Sequence, residues 1–126
     1  MNNTHDLIME IISELRYKVL EDDGEHIAIR YQFHVVHVFP NPEDENFVTI
    51  VLPSFEEVIR ENFATMIVRC NKLNEQLKQV KFYISDDMVV SSSEFFYKEK
   101  EDLAFQIQKA LMGLVSAGVK FKKLSE

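Results

Sequence analysis

The chain has 126 residues and a formal charge of −7, from 21 Asp and Glu against 14 Lys and Arg. Its 46% apolar and 28% charged residues describe an ordinary globule of one domain's length, residues 1–126, large enough to bury a core without disulfide staples. That negative field argues against a nucleic-acid partner, which needs a basic patch; Lys120, Lys122 and Lys123 suit a helix C-terminus better than a phosphate backbone.

Thr4 is placed to cap a first helix, with Asp6 in its first turn and Leu7, Ile8, Ile11, Ile12 and Leu15 on one arc. Ahead of it, MNNTHD lacks the basic region of an export signal, and no apolar run approaches membrane-spanning length. Tyr17 opens an extended run in which Asp23-Gly24 reads as the centre of a two-residue type I′ hairpin. Beyond it Ile27, Ile29 and Tyr31 alternate with His26, Ala28 and Arg30, the pattern of a half-buried strand. In FHVVHVF the pair Val35-Val36 breaks the alternation, which predicts a bulge or a short turn near Gln32. Asn41 to Asn46 is a polar turn, and Phe47 to Leu52 is a strand that Pro53 ends.

Phe55 to Gln79 reads as one long helix laid across the sheet. Ile59, Phe63, Met66, Ile67, Cys70, Leu73 and Leu77 share its stripe and are expected to be buried. As the lone cysteine, Cys70 acts there as a small hydrophobe, and no internal disulfide is possible; a reducing, cytoplasmic setting is expected. Val80, Phe82 and Ile84 then alternate with Lys81 and Tyr83, Asp86-Asp87 turns the chain, and MVVSSSEFFYK returns as a strand. A last helix runs from Lys100 to about Gly118 with a core stripe of Leu103, Ile107, Ala110, Leu111, Leu114 and Ala117. Phe105, Met112, Val115 and Val119 form a second band that one sheet does not need. Either a sheet edge or the segment FKKL covers that band, or it meets a partner chain. The order α-β-β-β-β-α-β-β-α, with hairpin-length links, predicts an α+β fold: an antiparallel sheet with helices mainly on one face.

Chemistry is sparse. His34 and His37 in HVVH point to opposite faces of a strand and can share an ion only across a bulge; His5 and His26 read as surface residues. The acidic groups at Glu21 to Glu25, Glu43 to Glu45 and Asp86-Asp87 lack calcium-loop spacing and read as solvated turns. There is no nucleophile elbow and no phosphate-cradling glycine loop, so no catalytic, metal or cofactor residue is assigned. Asn74 falls inside the apolar stripe of the long helix and Asn71 at its edge. A buried amide needs partners, found either in backbone near Val80 or in a bound peptide at the sheet edge.

These marks in this order resemble the YbjN-like family of bacterial sensory transduction regulators, which is similar in fold to class I type III secretion chaperones. The residues that carry the resemblance are Tyr17; Asp22-Asp23-Gly24 with Ile27, Ile29 and Tyr31; Leu52-Pro53-x-Phe55; Asn71-x-x-Asn74; and Val80-Lys81-x-Tyr83 before the serine-rich strand. The resemblance implies a non-enzymatic protein, often a homodimer, that binds an extended segment of another protein; charge and hydropathy add the expectation of a cytoplasmic chain with no nucleic-acid or membrane partner. A rival reading is a small-ligand sensor whose pocket between helix and sheet is lined by Phe82, Tyr83, Phe95, Phe96 and Tyr97.

Overall fold

A computed structural model describes residues 3–53 and 56–124. Helix α1 (Asn3–Leu15) precedes four strands, β1 (Lys18–Asp22), β2 (Ile27–Tyr31), β3 (His34–Pro40) and β4 (Phe47–Leu52). Helix α2 (Phe63–Gln76), strands β5 (Val80–Ser85) and β6 (Met88–Phe96), and helix α3 (Lys100–Leu124) complete the chain. The strands form one antiparallel sheet in the order β1-β2-β3-β4-β6-β5, which leaves β1 and β5 as its edges. This is the α+β order expected from the sequence.

Alternation assigns the two faces. Ile27, Ile29, Val36, Val38, Val48, Ile50, Val89 and Phe95 point to one side, where they form the core with Ile8, Ile11 and Ile12 of α1, Met66 and Leu73 of α2, and Leu103, Ile107, Leu111 and Leu114 of α3. Arg30, Val35, His37, Phe39, Thr49 and Glu94 point to the other side, which no described helix covers. Asp102 reaches back to the N–H groups of Lys98 and Glu99, at 3.3 and 3.2 Å, and so starts α3. Lys100 ties that helix to α1 through Glu10 and Glu14, at 2.6 and 2.7 Å.

Several local expectations are corrected. The helix expected from Phe55 begins at Phe63; Phe55 itself lies outside the described residues. The segment before it is drawn to β6 instead, since Val58 donates to the Asp87 carbonyl (2.7 Å) and Val89 to that of Glu56 (2.8 Å). Thr4 is no helix cap, because α1 already includes Asn3. Its hydroxyl is buried against the Glu45 carbonyl and Tyr97, clipping α1 to the β4 and β6 ends.

The first hairpin turns one residue later than expected. Asp23 N–H bonds the His26 carbonyl, leaving Gly24-Glu25 at the tip, and only Gly24 has positive φ (88°). A pair of adjacent positive φ values occurs instead at Asp86 and Asp87 (49° and 60°), between β5 and β6. The irregularity near Gln32 is a two-residue turn with Gln32 at φ 56°, so β3 has no bulge; the bulge falls in β1, between Val19 and Glu21.

Candidate functional site

Helix α2 meets the open edge of β5. Met66, Cys70 and Leu73 face the core, but Ile59, Phe63 and Ile67, expected in the same buried stripe, are 48%, 50% and 45% exposed. Phe63 and Ile67 wall a cavity of about 450 Å3 that Cys70, Asn71, Asn74, Tyr83 and Ile84 complete. Burial raises the Cys70 thiol above its ordinary range against the weaker pull of Arg69, so the sulfur there is a protonated, apolar surface. Upstream, Asn62 accepts the Ile59 N–H (2.8 Å) and donates to the Glu57 carbonyl (3.0 Å), which fixes the turn leading into α2.

The edge itself is half committed. Asn74 accepts the Phe82 N–H at 2.7 Å and donates to the Phe82 carbonyl at 2.9 Å, using its amide as a neighbouring strand would use its backbone. Asn71, three residues earlier, is exposed at the groove. Two residues beyond Phe82, Ile84 pairs with Val89, whose N–H is turned the other way to Glu56. The N–H and C=O of Ile84 therefore point away from β6, toward the groove.

The second apolar surface is on α3. Phe105, Met112 and Val119 are 59%, 58% and 51% exposed, and Val115 is half-buried beside them. FKKL does not fold over this band. It continues the helix, and Phe121 turns into the core, stacked 5.4 Å from Phe82 and under the Arg69 guanidinium at 5.3 Å. Phe105 also borders a depression of about 350 Å3 with Phe96, Tyr97 and Asp102.

The five aromatics suggested as a ligand pocket do not share a wall. Phe82, Phe95 and Tyr97 are buried, whereas Tyr83 and Phe96 lie on the opposite sheet face. A larger cleft, about 1060 Å3, lies elsewhere, lined by His5, Asp23, His26, Phe39, Pro40 and Thr49 among others.

Two of the four histidines converge, though not as HVVH. His34 and His37 stand on opposite faces of β3. His37 meets His26 across the hairpin, with Nε2 of His26 2.6 Å from Nδ1 of His37. Ring centroids 4.9 Å apart at 16° leave the rings edge to edge, nearly in one plane. Burial, and then the neighbouring His26, hold His37 below its ordinary pKa, which favours its neutral form. The contact follows from the strand register: Ala28 faces His37, which brings His26 to the same sheet face two residues away. Nearby, His5 bonds Asp22 at 2.8 Å; that contact raises the His5 pKa and lowers that of Asp22.

No curated protein matches the chain. Among solved structures, YbjN from E. coli superimposes with a TM-score of 0.75 at 10% identity, covering 94% of this chain and 91% of that one. The Yersinia pestis type III secretion chaperone SycH, solved with a stable fragment of YscM2, gives a TM-score of 0.61 at 18% identity over 92% and 97% of the two chains. A chain of the HopA1–SchA chaperone–effector complex gives 0.67 at 9% identity over 97% and 95%. At such identities these likenesses show a shared fold. The family model described as "T3SS (YopN, CesT) and YbjN peptide-binding chaperone 1" matches residues 2–100, and the chain belongs to this family, TY-Chap1.

Proposed function

We propose that this protein is a non-enzymatic, chaperone-like binding module that holds an extended segment of another protein along the groove between α2 and β5, and works as a homodimer. The observation that carries this reading is the pair Phe63 and Ile67, each about half exposed, walling a groove beside a strand edge whose Ile84 backbone groups point outward. An extended chain laid there adds a strand to the sheet while its alternate side chains enter the apolar groove. The family's peptide-binding description and the protein complexes of two fold neighbours support the same reading. The band of exposed Phe105, Met112 and Val119 with half-buried Val115 on α3 is the surface this reading gives to the second copy.

The test is affinity purification at low salt from the native cell, comparing wild type with Phe63→Asp/Ile67→Asp. A recurrent partner at near-equal amounts with the wild type, lost with the double variant, is the expected result. A partner retained by the variant moves the binding site away from α2.

A second reading, a small-ligand sensor, draws on the cleft of about 1060 Å3 rather than on the aromatic run. A clean oligomer with no partner, together with thermal stabilisation by a metabolite that a cleft variant loses, would favour it.

A further inference from the structure

On the sheet face away from the helices, three potential ligands gather at one corner. One ligand atom each from Glu21, Asp23 and His26 lies within 4.8 Å of the others. The backbone is shaped to bring them together. Regular pairing after Val19↔Ile29 would set Leu20 opposite Ala28 and turn Glu21 toward the core. The bulge places Glu21 opposite Ala28 instead, on the outer face. Ala28 is the smallest side chain in the row Glu21, Ala28, His37, and its neighbours close over it, leaving it 3% exposed.

The imidazole of His26 is oriented for coordination. Its Nε2 is engaged with His37, which leaves Nδ1 facing the Asp23 carboxylate. The separation from Nδ1 to Oδ2 of Asp23 is 3.7 Å, long for a hydrogen bond yet below the span of two metal–ligand bonds, about 4.2 Å. The other oxygen, Oδ1 of Asp23, is held by the N–H groups of Glu25 and His26 at 2.9 and 2.8 Å, which fixes the carboxylate's direction. In the tautomer that leaves Nδ1 of His26 free for an ion, its Nε2–H donates to Nδ1 of His37, which is then an outer-shell partner of the kind metal-bound histidines have.

We propose that Glu21, Asp23 and His26 form a binding site for a divalent first-row transition ion, with His37 as the positioning residue. One imidazole with two carboxylates suits zinc, cobalt or nickel better than magnesium or calcium, which prefer oxygen alone. Asp23 and His26 also line the large cleft, so the remaining coordination positions open to water there. The proposal is independent of the groove between α2 and β5.

The test uses the full chain without an affinity tag, stripped with chelator, then titrated with ZnCl2 by calorimetry and with CoCl2 by absorption. One Zn2+ per chain is expected, with a rise in Tm and ligand-field bands for cobalt. His26→Ala should abolish both signals, and Asp23→Asn should weaken them while keeping its turn-holding oxygen. His37→Leu should lower affinity by about 10–100-fold, with His37→Asn, which restores an acceptor, recovering part of it. His34→Ala, on the opposite face, should change nothing. Chelated-protein melting of each variant separates loss of metal from loss of fold. No zinc binding by the wild type, or equal binding by His26→Ala in a folded protein, overturns the proposal and leaves Asp23 with its turn-holding role only.

Discussion

Asn74 shows how one side chain sets the limits of a sheet edge. An edge strand exposes backbone donors and acceptors that invite pairing, and the amide of Asn74 takes both groups of Phe82. Asn74→Ala should therefore cost about 1–3 kcal/mol in urea unfolding, from two lost hydrogen bonds and two backbone groups left for water to reach. Asn74→Asp should cost a similar amount, because it keeps an acceptor for the N–H but sets an oxygen against the Phe82 carbonyl. A loss below about 0.5 kcal/mol for both would mean that water replaces the amide freely. This contact was partly legible in the sequence, since an amide within an apolar helical stripe must find polar partners close by. The His26–His37 contact was not. HVVH drew attention to two histidines three apart, while the true pairing depends on a register set by the turn at Gln32-Phe33, which periodicity does not fix.

At the scale of the element, α2 is where sequence periodicity went furthest astray. The apolar residues of Phe55–Gln79 cover a wide arc, and a helical wheel cannot say where along that arc the sheet ends. The core takes Met66, Cys70 and Leu73, and the sheet stops at β5, so Phe63 and Ile67 are left on the flank. Two consequences follow for substitutions on this one helix. Phe63→Asp should leave cooperative unfolding intact, with a loss within about 1 kcal/mol, because the new carboxylate reaches water. Met66→Asp should abolish folding, since its side chain is 2% exposed and an unpaired charge there costs as much as a small domain's stability. Urea unfolding followed by circular dichroism checks both; a Phe63→Asp protein that fails to fold would return Phe63 to the core. By contrast, the order of elements and the antiparallel sheet were readable, because strands such as Ile27–Tyr31 and Phe47–Leu52 alternate and short polar turns link their neighbours.

At the scale of the whole molecule, the question is how two apolar surfaces coexist on one acidic chain. The exposed α3 residues Phe105, Met112 and Val119 are spaced by seven, a spacing that drifts only about 20° per step on a straight helix. They make a narrow rail about 21 Å long, from fourteen residues at 1.5 Å rise. A rail of this shape is suited to meet its own copy across a two-fold axis, where each protomer covers the other with the same residues. The groove between α2 and β5 is lined by none of these residues, so pairing through α3 leaves it open to a client. Association and client binding should then separate by mutation. Met112→Glu/Val119→Glu should convert a dimer to a monomer in sedimentation velocity while leaving Tm within a few degrees of wild type. Phe63→Asp/Ile67→Asp should sediment as the wild-type dimer and lose the client. A wild type that stays monomeric at every concentration removes the two-fold pairing. A Met112→Glu/Val119→Glu protein that unfolds would show instead that the rail belongs to the core of its own chain.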